Sequence, residues 1–291
     1  MPQLKKKTEK EIKILSSFLD EENEEILKKI FDELLTLDEE GNKYLSLLIP
    51  DIENDSVKDK LNTIVIHNNF KLTGFKILKW LKSQEFKWFD LLIILNKIEQ
   101  QELADNRIKA HYDKLLMDVW LMCSYEKNAF ENAMQLRSYF FNSLNIKLVD
   151  DDKAHLKHFL LNEVFISKQT TITFLNVLYL CFACDLKFPV VPCLMDNLLL
   201  LAFENKPPYQ ISIFDSRFLF FIHNKTLIPY PESKLRIKYN INNDEELPCK
   251  PFSKKDVAVM MLKFLAHSYE KEKRNIYEIC TQELIYNLSN E

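Results

Sequence analysis

The chain is predicted to be α+β and predominantly α, on three observations. From Glu9 to Leu144 apolar residues recur at helical spacing. Between Val190 and His223 the period changes, and short aromatic or β-branched runs alternate with turn residues. Two amphipathic segments then close the chain as a helix pair.

The first helices are expected over Glu9–Phe18, with Ile12, Leu15 and Phe18 on one face, and over Glu24–Leu37, with Ile26, Ile30, Phe31 and Leu34. Asp20–Asn23 connects them, and Gly41 is placed to stop the second. A segment over Lys43–Ile49 ends at Pro50, and Ser56–Ile66 makes a fourth. Two antiparallel pairs of this kind resemble repeats of the HEAT type. The pattern continues over Lys71–Lys82, Trp88–Gln101, Lys109–Leu121 and Ala129–Leu144, with Trp80, Trp88 and Phe89 as core fillers and no strand up to that point. Lys5, Lys6, Lys7 and Lys10 read as a disordered charged tip.

From Asp150 a polar stretch, DDDKAHLKHF, leads into an apolar helix over Thr171–Lys187, closed by Phe188 and Pro189. Strands follow at Val190–Met195, Leu198–Phe203, Tyr209–Phe214 and Arg217–His223, then a proline-studded loop, LIPYPE. The last helices are Ser253–Tyr269 and Arg274–Leu288, the former with Ser253 and Asp256 as a variant capping box. The expected division is a helical N-terminal region with HEAT-like pairs, 1–108, and an α+β core with the C-terminal helix pair, 109–291.

Composition excludes whole function classes. Two glycines in 291 residues, where average usage gives roughly twenty, leave no phosphate-cradling loop: Gly41 and Gly74 stand alone. A net charge of −4 supplies no general attraction for nucleic acid or anionic lipid. The longest apolar runs, Phe174–Cys184 and Leu198–Phe203, are too short to span a bilayer, and the lysine-rich opening lacks the apolar stretch of an export signal. Six irregularly spaced cysteines then read as reduced thiols in a cytoplasm.

Three segments carry a family resemblance: Asp118–Leu144 (DVWLMCSYEKNAFENAMQLRSYFFNSL), Leu161–Val191 (LNEVFISKQTTITFLNVLYLCFACDLKFPVV) and Met261–Arg274. In that order, around a buried helix and antiparallel strands, they resemble the bacterial transglutaminase-like proteins of the SirB type. The resemblance implies a site built from a Cys at the start of the buried helix, a His on the following strand and an Asp or Asn on the next. A helix N-terminus and an adjacent imidazole make such a thiol nucleophilic. In the SirB-type branch the helix starts Gly-Asn-Pro-Ile-Ser-Leu and the strand reads Pro-x-His-Phe, many members already lacking the cysteine.

Placed on this chain, the helix start is Thr170, Thr171, Ile172, Thr173, Phe174 and Leu175, without a thiol. The strand motif falls on Asp196, Asn197, Leu198 and Leu199, so Leu198 takes the histidine position, and the third position lies at His223 or Asn224. The resemblance therefore implies a catalytically inactive protein that retains the core and binds a protein partner. Its vestigial cleft consists of Thr171, Ile172, Thr173, Asn176, Asn197, Leu198, His223 and Asn224. No catalytic residue, cofactor or metal is expected, and neither nucleic acid nor membrane as a partner.

Two alternatives stay open: a thiol hydrolase or amidase using Cys193 or another displaced cysteine with His223, and a small-molecule or peptide binder using the cleft. Cys181 and Cys184 form a C-F-A-C spacing deep in the buried helix, where packing rather than redox or zinc chemistry is expected. His155 and His158 beside Asp150, Asp151 and Asp152 have ligand-like spacing but are expected to be a solvated surface.

Overall fold

The computed structural model describes residues 4–100, 105–123, 127, 129–195, 198–203, 219–223, 226–230 and 250–290. They form two compact units, Met1–Lys79 with Tyr269–Glu291, and Trp80–Ser268.

In the first unit α1 (Glu9–Ser17) opens on a reciprocal capping box between Thr8 and Glu11, and α2 (Glu24–Leu34) on Asn23, whose side chain accepts from the N–H groups of Glu25 and Ile26. Asp38 caps α3 (Glu39–Leu48) by accepting from the Gly41 N–H at 2.9 Å. Gly41 thus lies inside the first turn of α3 and does not stop α2. Its need is for space, because a Cβ there would stand 3.1 Å from Leu37 Cδ2 and 3.2 Å from Asp38 Oδ1.

What finishes α2 comes from α4 (Asp55–Lys82): Asn68 Nδ2 donates to Leu34 O at 2.8 Å and Lys71 Nζ to Leu35 O at 2.7 Å. The two helices expected at Ser56–Ile66 and Lys71–Lys82 are this one helix of 28 residues. The His67-Asn68-Asn69 stretch between them is helical, with Asn68 Nδ2 and Asn69 Oδ1 engaged in the core. Asn68 Nδ2 also reaches Asn42 Oδ1 at 3.0 Å, and Asn42 Nδ2 reaches Asn69 Oδ1 at 2.6 Å. Ile12, Leu19, Leu34, Leu37, Leu45, Leu61 and Ile64 fill the core of this unit. The lysine tip is ordered: Lys5 N–H donates to Thr36 O at 2.7 Å, and Lys5 and Lys7 both pair with Glu33. The last helix, α11 (Asn275–Ser289), follows α10 (Lys254–Lys271), as expected of the closing pair.

In the second unit α5 (Trp88–Asn96), α6 (Asp105–Met122) and α7 (Ala129–Ser138) precede a π-helical turn over Tyr139–Ser143. Trp80, Trp88 and Phe89 are buried, as their type predicts. Two short strands that the sequence reading did not include precede the buried helix: β1 (Lys147–Val149) pairs in parallel with β2 (Gln169–Thr171). Each has three residues, too few for a period-2 signal. An additional helix, α8 (Leu161–Ser167), lies between them.

The buried helix α9 spans Ile172–Asp185, and every residue from Thr173 to Ala183 is buried. That is why its sequence is apolar all round. It packs against β3 (Val190–Met195), β4 (Leu198–Phe203) and β5 (Leu219–His223) of an antiparallel five-stranded sheet. Strand order is β6-β5-β4-β3-β7, with β6 at Thr226–Tyr230 and β7 at Lys250–Pro251. The LIPYPE segment, expected as a loop, begins in β6, where Pro229 faces Phe220. Pro251 faces Cys193 on the opposite rim. Edge positions accommodate residues that cannot donate to a ladder. The strand expected at Tyr209–Phe214 lies outside the described residues. Ser253 and Asp256 form their capping box at the start of α10, with Ser253 N–H donating to Asp256 Oδ2 at 2.9 Å and Asp256 N–H to Ser253 Oγ at 3.2 Å.

Candidate functional site

The start of α9 is built on three threonines. Thr171, the last residue of β2, is the N-cap, and its Oγ1 accepts from the Phe174 N–H at 3.3 Å. Thr170 Oγ1 donates to the carbonyl oxygen of His158 at 2.8 Å, tying the helix start to the preceding 3₁₀ turn. Thr170, Thr171 and Thr173 are all buried, and Ile172 is half-buried.

One turn further, Asn176 is 2% exposed, and its Nδ2 donates to the Leu199 carbonyl oxygen at 2.8 Å. Side chains on a helix tilt toward its N-terminus, so this amide joins the opening turns of α9 to β4. Leu198 is the first residue of β4, across from Met195. His223 ends β5, across from Thr226. Asn197 and Asn224 lie outside the described residues.

The structure thus brings Thr171, Ile172, Thr173 and Asn176 onto one helix start, and Asn176 alone of these to β4 through a hydrogen bond. Sequence reasoning placed Thr170 at the helix start without its tie to the 3₁₀ turn, and misjudged the burial of His158. His158, expected in a solvated linker, is 3% exposed, with Nδ1 accepting from the His155 N–H at 3.0 Å. Burial, then the nearby Lys157 charge, pushes its imidazole below the usual pKa. The cue was available in Leu156 and Phe159, the apolar residues that flank it in a 3₁₀ turn and are themselves buried.

The thiols stand elsewhere. Cys181 and Cys184 are in the last turns of α9, beside Asp185, whose Oδ2 accepts from the buried Tyr112 hydroxyl at 2.9 Å. Tyr112 stacks on Phe89 with centroids 3.7 Å apart. Burial pushes the Cys181 thiol well up, and burial with the Asp185 charge pushes Cys184 to about 11. Cys123 is raised for the same first cause. Cys193 is buried on β3. In the other unit Cys280 Sγ lies 3.3 Å from His67 Nδ1, yet burial and Glu283 push this thiol to about 12. A nucleophilic thiol needs the opposite shift.

A helix whose N-terminus abuts an antiparallel sheet through a buried side chain is the framework, and the comparison of sequences agrees with it. A family model described as the transglutaminase-like superfamily matches residues 106–228, from α6 into β6. The chain carries a transglutaminase-like domain. No curated protein and no solved structure gives a match. Within that domain, Thr171, Ile172 and Thr173, expected from the sequence at the helix start, form the opening cap of α9. Among the described residues no group of three or more His, Cys, Asp or Glu is placed to hold a metal ion, and no helix is long and apolar enough to cross a membrane.

Proposed function

We propose that this transglutaminase-like domain performs no acyl transfer and that the protein acts by binding a protein partner, not nucleic acid or membrane. We read it as a divergent SirB-type chain, with a helical region at 1–108 and its core at 109–291, resident in a reducing cytoplasm. What supports the reading is the start of α9, where a threonine cap and an isoleucine occupy the place that the resemblance gives to the nucleophile. The thiols with resolved shifts, Cys123, Cys181, Cys184 and Cys280, are all less acidic than a free cysteine.

Two further observations support it. The described cysteines Cys123, Cys181, Cys184, Cys193 and Cys280 are all free, in keeping with a reducing compartment. On α6, Met117, Trp120 and Leu121 are 56%, 51% and 69% exposed at i, i+3 and i+4 spacing. An apolar stripe of this kind, with an aromatic at its centre, suits a protein contact.

The test has two arms. A thiol-reactive probe at neutral pH is expected to label the native cysteines slowly and evenly, and a glutamine-amide substrate to show no turnover. One cysteine labelling far faster than the rest, with turnover lost on its replacement, would establish the thiol hydrolase instead. In the second arm, proteins co-purifying with the full chain are expected to be lost from Trp120→Ser with Leu121→Ser, at an unchanged unfolding midpoint.

A further inference from the structure

The exposed ridge of α6 changes chemistry half-way along. Arg107, Lys114, Met117 and Leu121 share one stripe of the helix surface, with Trp120 beside the last two, and all five are exposed. The first half of that stripe is basic and the second apolar. A helix's first turn favours acid, because partial positive charge gathers there, yet Arg107 stands in it. Lys168 adds a further cation. It caps α8 one turn after Phe165, whose ring meets that of His111 edge-on at 4.9 Å, so the end of α8 brings Lys168 beside the basic half. Burial, then the charges of Lys168 and Lys114, push the His111 imidazole below its usual pKa and leave it neutral at pH 7.

Among the described residues Arg107, Lys114 and Lys168 make no ion pair. Carboxylates on the same elements are engaged elsewhere: Asp105 with Lys97 at 2.7 Å, Asp118 with the Tyr139 hydroxyl at 3.0 Å and Glu163 with Gln100 at 3.1 Å. Asp113 falls on the other flank of the stripe, one turn from Lys109. Water solvates such cations while the helix is bare, so what they add is selection of what covers it. A helix that lies on a membrane carries its cations along the flanks of a continuous apolar face, whereas here basic and apolar residues succeed one another end to end. A second copy using the same stripe would lay basic residues on basic or on apolar ones. The complement is a surface that is acidic at one end and apolar at the other.

We propose that this stripe docks an amphipathic helix of a partner protein, acidic at one end and apolar at the other. Met117, Trp120 and Leu121 take the apolar end, and Arg107, Lys114 and Lys168 select the acidic one. The proposal rests on the protein-partner reading and adds to it the chemistry of the partner.

The test offers the full chain fluorescein-labelled peptides of about 20 residues, long enough to hold a helix. They share one leucine face and carry glutamates in their first or last turns, and matched isomers carry lysines in the same places. Fluorescence anisotropy is expected to show a glutamate peptide bound about tenfold or more tightly than its lysine isomer, and weakening as potassium chloride is added. Arg107→Glu with Lys114→Glu is expected to erase that preference, and Trp120→Ser to weaken binding of the glutamate peptide. Lys28→Glu with Lys29→Glu, an equal charge change on exposed residues of α2, is expected to leave both unchanged. Should the charge reversal not fold, Arg107→Gln with Lys114→Gln takes its place. Equal binding of the isomers, or binding of neither, would overturn the proposal. So would an oligonucleotide or a phosphatidylserine vesicle held through Arg107 and Lys114, or a dimer in sedimentation that their substitution dissolves. Co-purifying proteins lost from Trp120→Ser with Leu121→Ser, alongside equal binding of the isomers, would leave the protein-partner reading standing and remove only the acidic helix.

Discussion

Asn176 and Leu199 join the helix and the sheet of the transglutaminase-like domain through a buried hydrogen bond, 2.8 Å from Nδ2 to the carbonyl oxygen. Asn176→Ala removes the donor and leaves that carbonyl without it, at an expected cost of about 1–3 kcal/mol. Urea unfolding of the full chain checks this, and a midpoint within error of wild type would count against the clamp.

A thiol placed on the α9 dipole should behave unlike any native one. Ile172→Cys puts sulfur at the first helical position, half-buried and next to the cap. Its reaction with a disulfide reagent at pH 7 is expected to be about tenfold or more faster than that of Cys181 or Cys184. Equal rates would mean that the helix start no longer lowers a thiol pKa.

Acid should loosen the second unit through His158. Its folded pKa is lowered by burial, so the unfolded chain takes up a proton that the folded chain resists. Stability is then full above the unfolded value, about 6.5, and is lost as pH falls below it. His111, also lowered by burial and by Lys168 and Lys114, acts in the same direction. The urea midpoint should drop between pH 7.5 and 5.5, and drop less in His158→Gln.

In the first unit, Asn68→Ala is expected to cost about 2 kcal/mol or more, because it removes donors from both Leu34 O and Asn42 Oδ1. Lys71→Met should cost less, about 1 kcal/mol, since its ammonium is only partly enclosed and also gives up burial. Chemical unfolding of the two variants side by side would show the order.

Legibility in the sequence followed how local each determinant is. α1, α2, α9 and the closing pair were readable because periodicity, caps and apolar runs lie within each segment, as with Ser253 and Asp256. α4 was not, since only the distant Asn42 and Leu34 make its Asn68 helical. Pro229 concealed β6 because its place at a rim is a property of the sheet. At the site, the helix start with Thr171, Ile172, Thr173 and Asn176 was legible from the apolar run. The burial of His158 was not, because nothing in a residue's own neighbourhood states how deeply tertiary packing will enclose it.

The prolines on the two outermost described strands bear on how the proposed partner would approach. Pro229 in β6 and Pro251 in β7 each withhold an amide from the rim. An extended peptide zipping on as an extra strand would meet a gap at either margin. The proposed recruitment through helical side chains avoids these gaps, and the same gaps discourage edge-to-edge stacking of one copy on another.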